Sequence, residues 1–106
     1  MPDNQEVLVF SGSVMNGLRT PDGEMADLVK WCGLPSLNDE QHDRLWGGTT
    51  DNRIIEDCAY ADIEVTGEID EIPGQSDEFF DVKTNDVEKL KHEVRETILL
   101  IIGDHQ

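Results

Sequence analysis

The pattern of this sequence predicts an α+β domain, and three observations predict it. Residues Ala59 to Asp70 alternate apolar and polar with the period of a half-buried strand. Met25, Leu28, Val29 and Cys32 recur at i, i+3, i+4 and i+7, one face of a helix. Val87, Leu90, Val94 and Ile98 repeat that spacing near the end of the chain. Taken in order, the elements read β-α-α-β-β-β-α, a small antiparallel sheet of three to four strands with two to three helices.

Residues 1–5 and 104–106 read as loose ends. Glu6 to Phe10, with Val7, Leu8, Val9 and Phe10, reads as a buried strand. Ser11 to Thr20 holds Gly12, Asn16 and Gly17 and reads as a loop. Thr20 before Pro21 is a helix start, because proline is favoured at the first helical position. Gly33 and Pro35 stop that helix. Ser36 or Asn38 caps a short second helix through Arg44–Trp46, ended by Gly47-Gly48. Ile54-Ile55 opens strand structure, and Gly67 marks a bulge, a bend or a tight hairpin in it. Pro73-Gly74-Gln75-Ser76 reads as a loop and Phe79 to Val82 as a strand. Asn85, with Glu88 three residues on, opens a capping box for the last helix. The apolar run Ile98 to Ile102 continues that helix or forms a separate strand; the absence of a turn residue favours the helix.

The chain has 106 residues, which fits one domain over 1–106. Its 24 acids against 8 bases give a formal charge of −16. Small domains carry a net charge of about 2–8 in magnitude, so this charge is extreme. It repels phosphate backbones and anionic lipid, which argues against nucleic acid and membrane as direct partners. The first residues lack the basic start and apolar stretch of a signal peptide. Cys32 and Cys58 are too few for a disulfide framework, so they read as reduced thiols of a cytoplasmic protein.

Chemistry-bearing motifs are absent from the pattern. Gly12 and Gly17 have Walker spacing, but Leu18 stands where the lysine belongs. Cys32, His42, Cys58, His92 and His105 are too scattered for zinc. Cys32 falls on an apolar helix face, and Cys58 follows Glu56 and Asp57, whose charges oppose a thiolate. The expectation is therefore no enzyme, no metal and no cofactor.

The acids are unevenly placed. From Ile54 to Val82 there is no lysine or arginine, while Glu56, Asp57, Asp62, Glu64, Glu68, Asp70, Glu71, Asp77, Glu78 and Asp81 all fall there. Same-face residues of a strand stand roughly 6.6 Å apart. Asp62, Glu64, Glu68 and Asp70 would form such a row, close to the roughly 7 Å between DNA phosphates along a strand. The partner-binding residues this predicts are Glu56, Asp57, Asp62, Glu64, Glu68, Asp70, Glu71, Asp77 and Glu78. Trp31 and Trp46 are candidate aromatic anchors, since tryptophan is enriched at binding hot spots.

The implied function is a non-catalytic inhibitor or decoy. It would present phosphate-like charge to a basic protein, a nuclease or nucleic-acid-binding complex, in the manner of phage antagonists of host defence. An immunity protein or antitoxin against a basic toxin enzyme is the alternative, and an acidic structural or adaptor domain is another. The bland reading of any one acidic stripe is a solvated strand face.

Overall fold

A computed structural model describes residues 5–58, 62–72 and 75–103. The strand beginning expected at Ala59–Ala61, Pro73 and Gly74 of the expected loop, and the ends 1–4 and 104–106 lie outside the described residues. The fold is α+β, as its sequence pattern predicts. Strands β1 (Val7–Ser13) and β2 (Gly17–Arg19) lead to helices α1 (Leu28–Trp31), α2 (Asp39–Trp46) and α3 (Asp51–Glu56). Strands β3 (Asp62–Ile72) and β4 (Gln75–Thr84) follow, and α4 (Val87–Ile102) closes the order. The sheet runs β2-β1-β4-β3, with every pair antiparallel. Two hairpins therefore lie side by side, and β2 and β3 form the two edges.

Five expectations change. First, the region from Ser11 to Thr20 is a hairpin, not a loop. Its small residues pair in register: Ser11 with Arg19, Gly12 with Leu18 and Ser13 with Gly17. The glycine and asparagine signal belonged to the short turn between β1 and β2. Gly17 holds the turn at φ 79°, a backbone conformation that suits glycine. A Cβ on Gly12 would collide with the Gly17 carbonyl, so the close approach of the two strands depends on that glycine.

Second, the first helix shrinks to Leu28–Trp31. Thr20 and Gly23 form a turn instead of a helix start, and Gly23 sits at φ 91°. Asp27 takes the cap, its side chain accepting from the Lys30 amide. Met25 leaves the helical face altogether and bridges Arg19 at the end of β2.

Third, Ile54 and Ile55 are helical. Thr50 caps α3 through the Arg53 amide, and both isoleucines are fully buried. Cys58, just past the Asp57 cap, is buried with them. Packing overrides the strand propensity of the β-branched pair.

Fourth, Asp86 rather than Asn85 caps α4, accepting from the Lys89 amide at 3.0 Å. Fifth, the expected loop over 73–76 gives up Gln75 and Ser76, which pair with Ile72 and Asp70 and open β4. The observed order is thus β-β-α-α-α-β-β-α. The following expectations stand as read. Asn38 and Gln41 make a full capping box on α2. Ile98 to Ile102 continues α4, which ends at Gly103 in the left-handed conformation. Leu90, Val94, Ile98 and Ile102 bury one face of that helix. They join Phe10, Leu18, Leu28, Leu45, Ile54, Ile55, Phe80 and Val82 in the core. Among the described residues, no helix is long and apolar enough to cross a membrane.

Candidate partner-binding surface

β3 is an edge strand, and its register with β4 decides how the acids are arranged. Asp62 stands opposite Lys83, and Glu64 opposite Asp81. Beyond Val65 the register shifts, because β3 carries an extra residue at Thr66. After that bulge Glu68 stands opposite Glu78, and Asp70 opposite Ser76.

The bulge corrects the expected single row. A bulge sets two residues against one, so the alternation of β3 changes phase relative to β4. Asp62 and Glu64 match odd-numbered positions of β4, whereas Glu68 and Asp70 match even-numbered ones. The apolar positions divide likewise: Ile63 and Val65 stand opposite Val82 and Phe80, but Ile69 stands opposite Asp77. Gly67, exposed and at the bulge, was the sequence mark of this break.

The register also brings acids together. Glu64 meets Asp81 and Glu68 meets Glu78 across the hairpin, with no lysine or arginine between residues 54 and 82. Directly opposite residues hold their Cβ atoms about 5 Å apart, and like charges so placed are destabilising. Asp81 was part of the base-free run but not of the expected binding set. Only the two register shifts in β3 place it opposite Glu64, and the sequence pattern gives no direct signal for that pairing.

The remaining expected binding residues fare differently. Glu56 and Asp57 are exposed at the end of α3, and Asp57 lies 3.8 Å from the Arg53 guanidinium. Glu78 is exposed. Glu71 lies on β3, at its second register shift. Asp77 is not available to a partner: it is only 2% exposed. Its carboxylate accepts from the Met15 amide at 2.9 Å and from Asn16 Nδ2 at 3.2 Å, and so ties the β1–β2 turn to β4. Asp77 is buried because it supplies an acceptor to a turn amide that no strand partner reaches.

The two tryptophans also separate. Trp31 packs edge-on against Phe10 at 4.8 Å between ring centres, with the Lys91 ammonium 5.6 Å from its ring. Trp46 is half-buried and lines a groove beside α2 and α3.

Both cysteines are buried. Burial, followed by the nearby Glu93 charge, pushes the Cys58 thiol up to about 11. The Asp57 charge acts in the same direction, as expected, but comes after burial and Glu93. Burial also raises Cys32. Neither is a thiolate nucleophile at neutral pH. Among the described residues, no three histidine, cysteine or acidic side chains gather in a way that could hold a metal. Compared with protein families, curated proteins and solved structures, the chain matches none.

Proposed function

We propose that this chain is a non-catalytic acidic binding protein that acts as a decoy for nucleic acid on a basic partner. A defence nuclease or a nucleic-acid-binding complex is the class of partner this reading names. One observation carries it: an edge hairpin in which acid stands opposite acid twice, within a stretch that contains no base. Such an arrangement costs stability and gains nothing for the fold. Charged side chains also guard edge strands against sheet-to-sheet pairing, but lysine serves that purpose as well as an acid does. The single sign of residues 54–82, with Lys83 opposite Asp62 the nearest base on the hairpin, is what a cationic groove would recognise. The bulge sets the two acid pairs at β4 positions of opposite parity, so a groove would take them from the two faces of this edge hairpin.

The test uses a panel of purified nucleases with basic substrate grooves. The chain is expected to inhibit cleavage by at least one of them, in competition with duplex DNA. Glu64→Lys with Glu68→Lys should abolish inhibition. Glu24→Lys with Glu96→Lys, two exposed acids elsewhere, changes net charge equally and should preserve it. Dissociation rates are the readout, since steering by bulk charge acts mainly on association. Equal loss in both variants would reduce the hairpin to a contributor of bulk charge. Sub-micromolar binding of the chain to random duplex DNA would overturn the decoy reading outright.

A further inference from the structure

The opposite edge of the sheet carries a surface of different character. Two adjoining depressions flank the start of α3 and share Thr50 and Asp51. The larger, about 920 Å³, is lined by Met25, Leu34, Leu37, Trp46, Asp27 and Asp51. The smaller, about 530 Å³, is lined by Val14, Met15, Arg53 and Glu56. Val14, Met15 and Met25 are 62%, 57% and 60% exposed. The Met25 methyl lies 4.0 Å from where a Cβ on Gly17 would sit, and Gly17 lines the smaller depression, so the apolar surface runs from one into the other.

These residues are exposed for a reason visible in the fold. Met25 has the spacing of a core residue, yet the turn at Thr20–Gly23 lifts it off the helical face and onto the edge of β2. The β1–β2 turn that holds Val14 and Met15 outward is braced three ways. Asp77 binds the Met15 amide, the Asn16 amide donates to Ser13 Oγ, and Asn52 Nδ2 donates to the Ser13 carbonyl. A braced turn that presents two adjacent apolar side chains to water is a preformed surface, and methionine adapts readily to varied apolar partners.

Charge specifies the occupant. Asp27 and Asp51 line the larger depression, and among the described residues neither forms an ion pair. Burial, and then the charge of Asp27, raises the Asp51 carboxyl above its ordinary range. The bases at the surface are Lys30 and Arg53, with His42 on the wall. Arg53 is drawn to Asp57, and Lys30 is exposed on α1. Glu24 and Asp43 adjoin the lining residues Met25 and His42 in sequence and are exposed. A cation entering between Asp27 and Asp51 would relieve their mutual repulsion while the chain's charge of −16 favours its approach.

We infer that this Met15–Met25–Trp46 groove is a docking site for a basic amphipathic segment of another protein, its apolar side chains on the methionines and Trp46 and its cations between Asp27 and Asp51. The inference stands apart from the hairpin reading, because it uses other residues at the other edge of the sheet.

The experiment is a calorimetric titration of the full chain with a synthetic amphipathic helix of leucine and lysine. A scrambled peptide of the same composition is the control. The helix is expected to bind at least about ten-fold more tightly than the scramble. Met15→Ser with Met25→Ser should remove that preference, and the exposure of both residues lets the chain stay folded, which circular dichroism verifies. Asp27→Asn with Asp51→Asn should weaken binding and flatten its salt dependence. Glu64→Lys with Glu68→Lys on the distant hairpin should leave the preference for helix over scramble intact, which separates this site from the decoy surface. Equal binding of helix and scramble would overturn the inference. So would full retention in the methionine variant, or loss of the preference confined to the hairpin variant.

Discussion

The two hairpins of this sheet use acidic residues in opposite ways. In the β1–β2 hairpin, the turn closes on a carboxylate from the neighbouring strand, and Asp77 is buried with two donors to satisfy it. In the β3–β4 hairpin, Glu64 and Glu68 meet Asp81 and Glu78 in register. Asp77 and Glu78 are adjacent in sequence, yet one is buried and the other exposed. The lesson is that an acidic run is not a uniform surface. The pleat sends alternate residues to opposite faces, and what each meets there decides between a structural acid and an available one.

The largest effect that tests this contrast is at Asp77. Asp77→Ala should cost about 2–4 kcal/mol, because hydrogen bonds to a charged group contribute about 1.5–3 kcal/mol and a turn amide is left without its acceptor. Glu78→Ala should change stability by less than about 0.5 kcal/mol, as surface substitutions usually do. Urea unfolding of the two variants measures both. Comparable losses would erase the distinction between the acids.

Gly12→Ala should come next. The new methyl group collides with the Gly17 carbonyl, so β2 must separate from β1. A loss of more than about 1 kcal/mol is expected where alanine cannot fit the native backbone. Loss of amide-exchange protection should be confined to β2 and the turn. A variant as stable as the parent would mean that the two strands are not held in close approach.

In the other hairpin the sign reverses. Glu64→Lys with Glu68→Lys turns two like-charge pairs into two opposite-charge pairs. Each is expected to stabilise by about 0.2–1 kcal/mol, which thermal melting at low salt resolves. The same variant loses its partner under the proposed function, so stability and binding should move in opposite directions. A destabilised variant would mean that the acids support the fold.

The smallest effect is that of salt on the parent. Raising ionic strength from about 0.01 M to about 0.1 M shortens the Debye length from about 30 Å to about 10 Å and screens self-repulsion. The melting temperature should rise modestly, and less in the double lysine variant. A chain that is unfolded at low salt and folds only near molar salt would point to a halophilic origin for the charge.

Much of this architecture was legible before any coordinates. The last helix could be read from Leu90, Val94 and Ile98, because four-residue spacing over several turns has one interpretation. The second helix could be read from its cap and its closing glycines. Gly67 announced a break in β3. The short elements were not legible. Ile54-Ile55 has the composition of a strand, and only packing against the core, with the Thr50 cap, makes it a helix. Met25 has the spacing of a buried residue, and only the turn at Thr20–Gly23 exposes it.

The candidate surfaces divide along the same line. That residues 54–82 are acidic and lack bases is a property of composition, and no fold can alter it. Which acids oppose which, however, is a property of register. Two extra residues in β3, at Thr66 and Glu71, set the register that leaves Glu64 opposite Asp81 and Glu68 opposite Glu78, and the one at Thr66 split the expected row. Asp77 left the binding set because a turn distant in sequence needed an acceptor. The groove with Met15, Met25 and Trp46 could not be read from the chain, since its walls come from the β1–β2 turn, the Met25 segment and helices α1 to α3, which meet only in the folded chain. Local pattern determines what a segment can become; long-range pairing determines which of its side chains are spent on the fold and which remain for a partner.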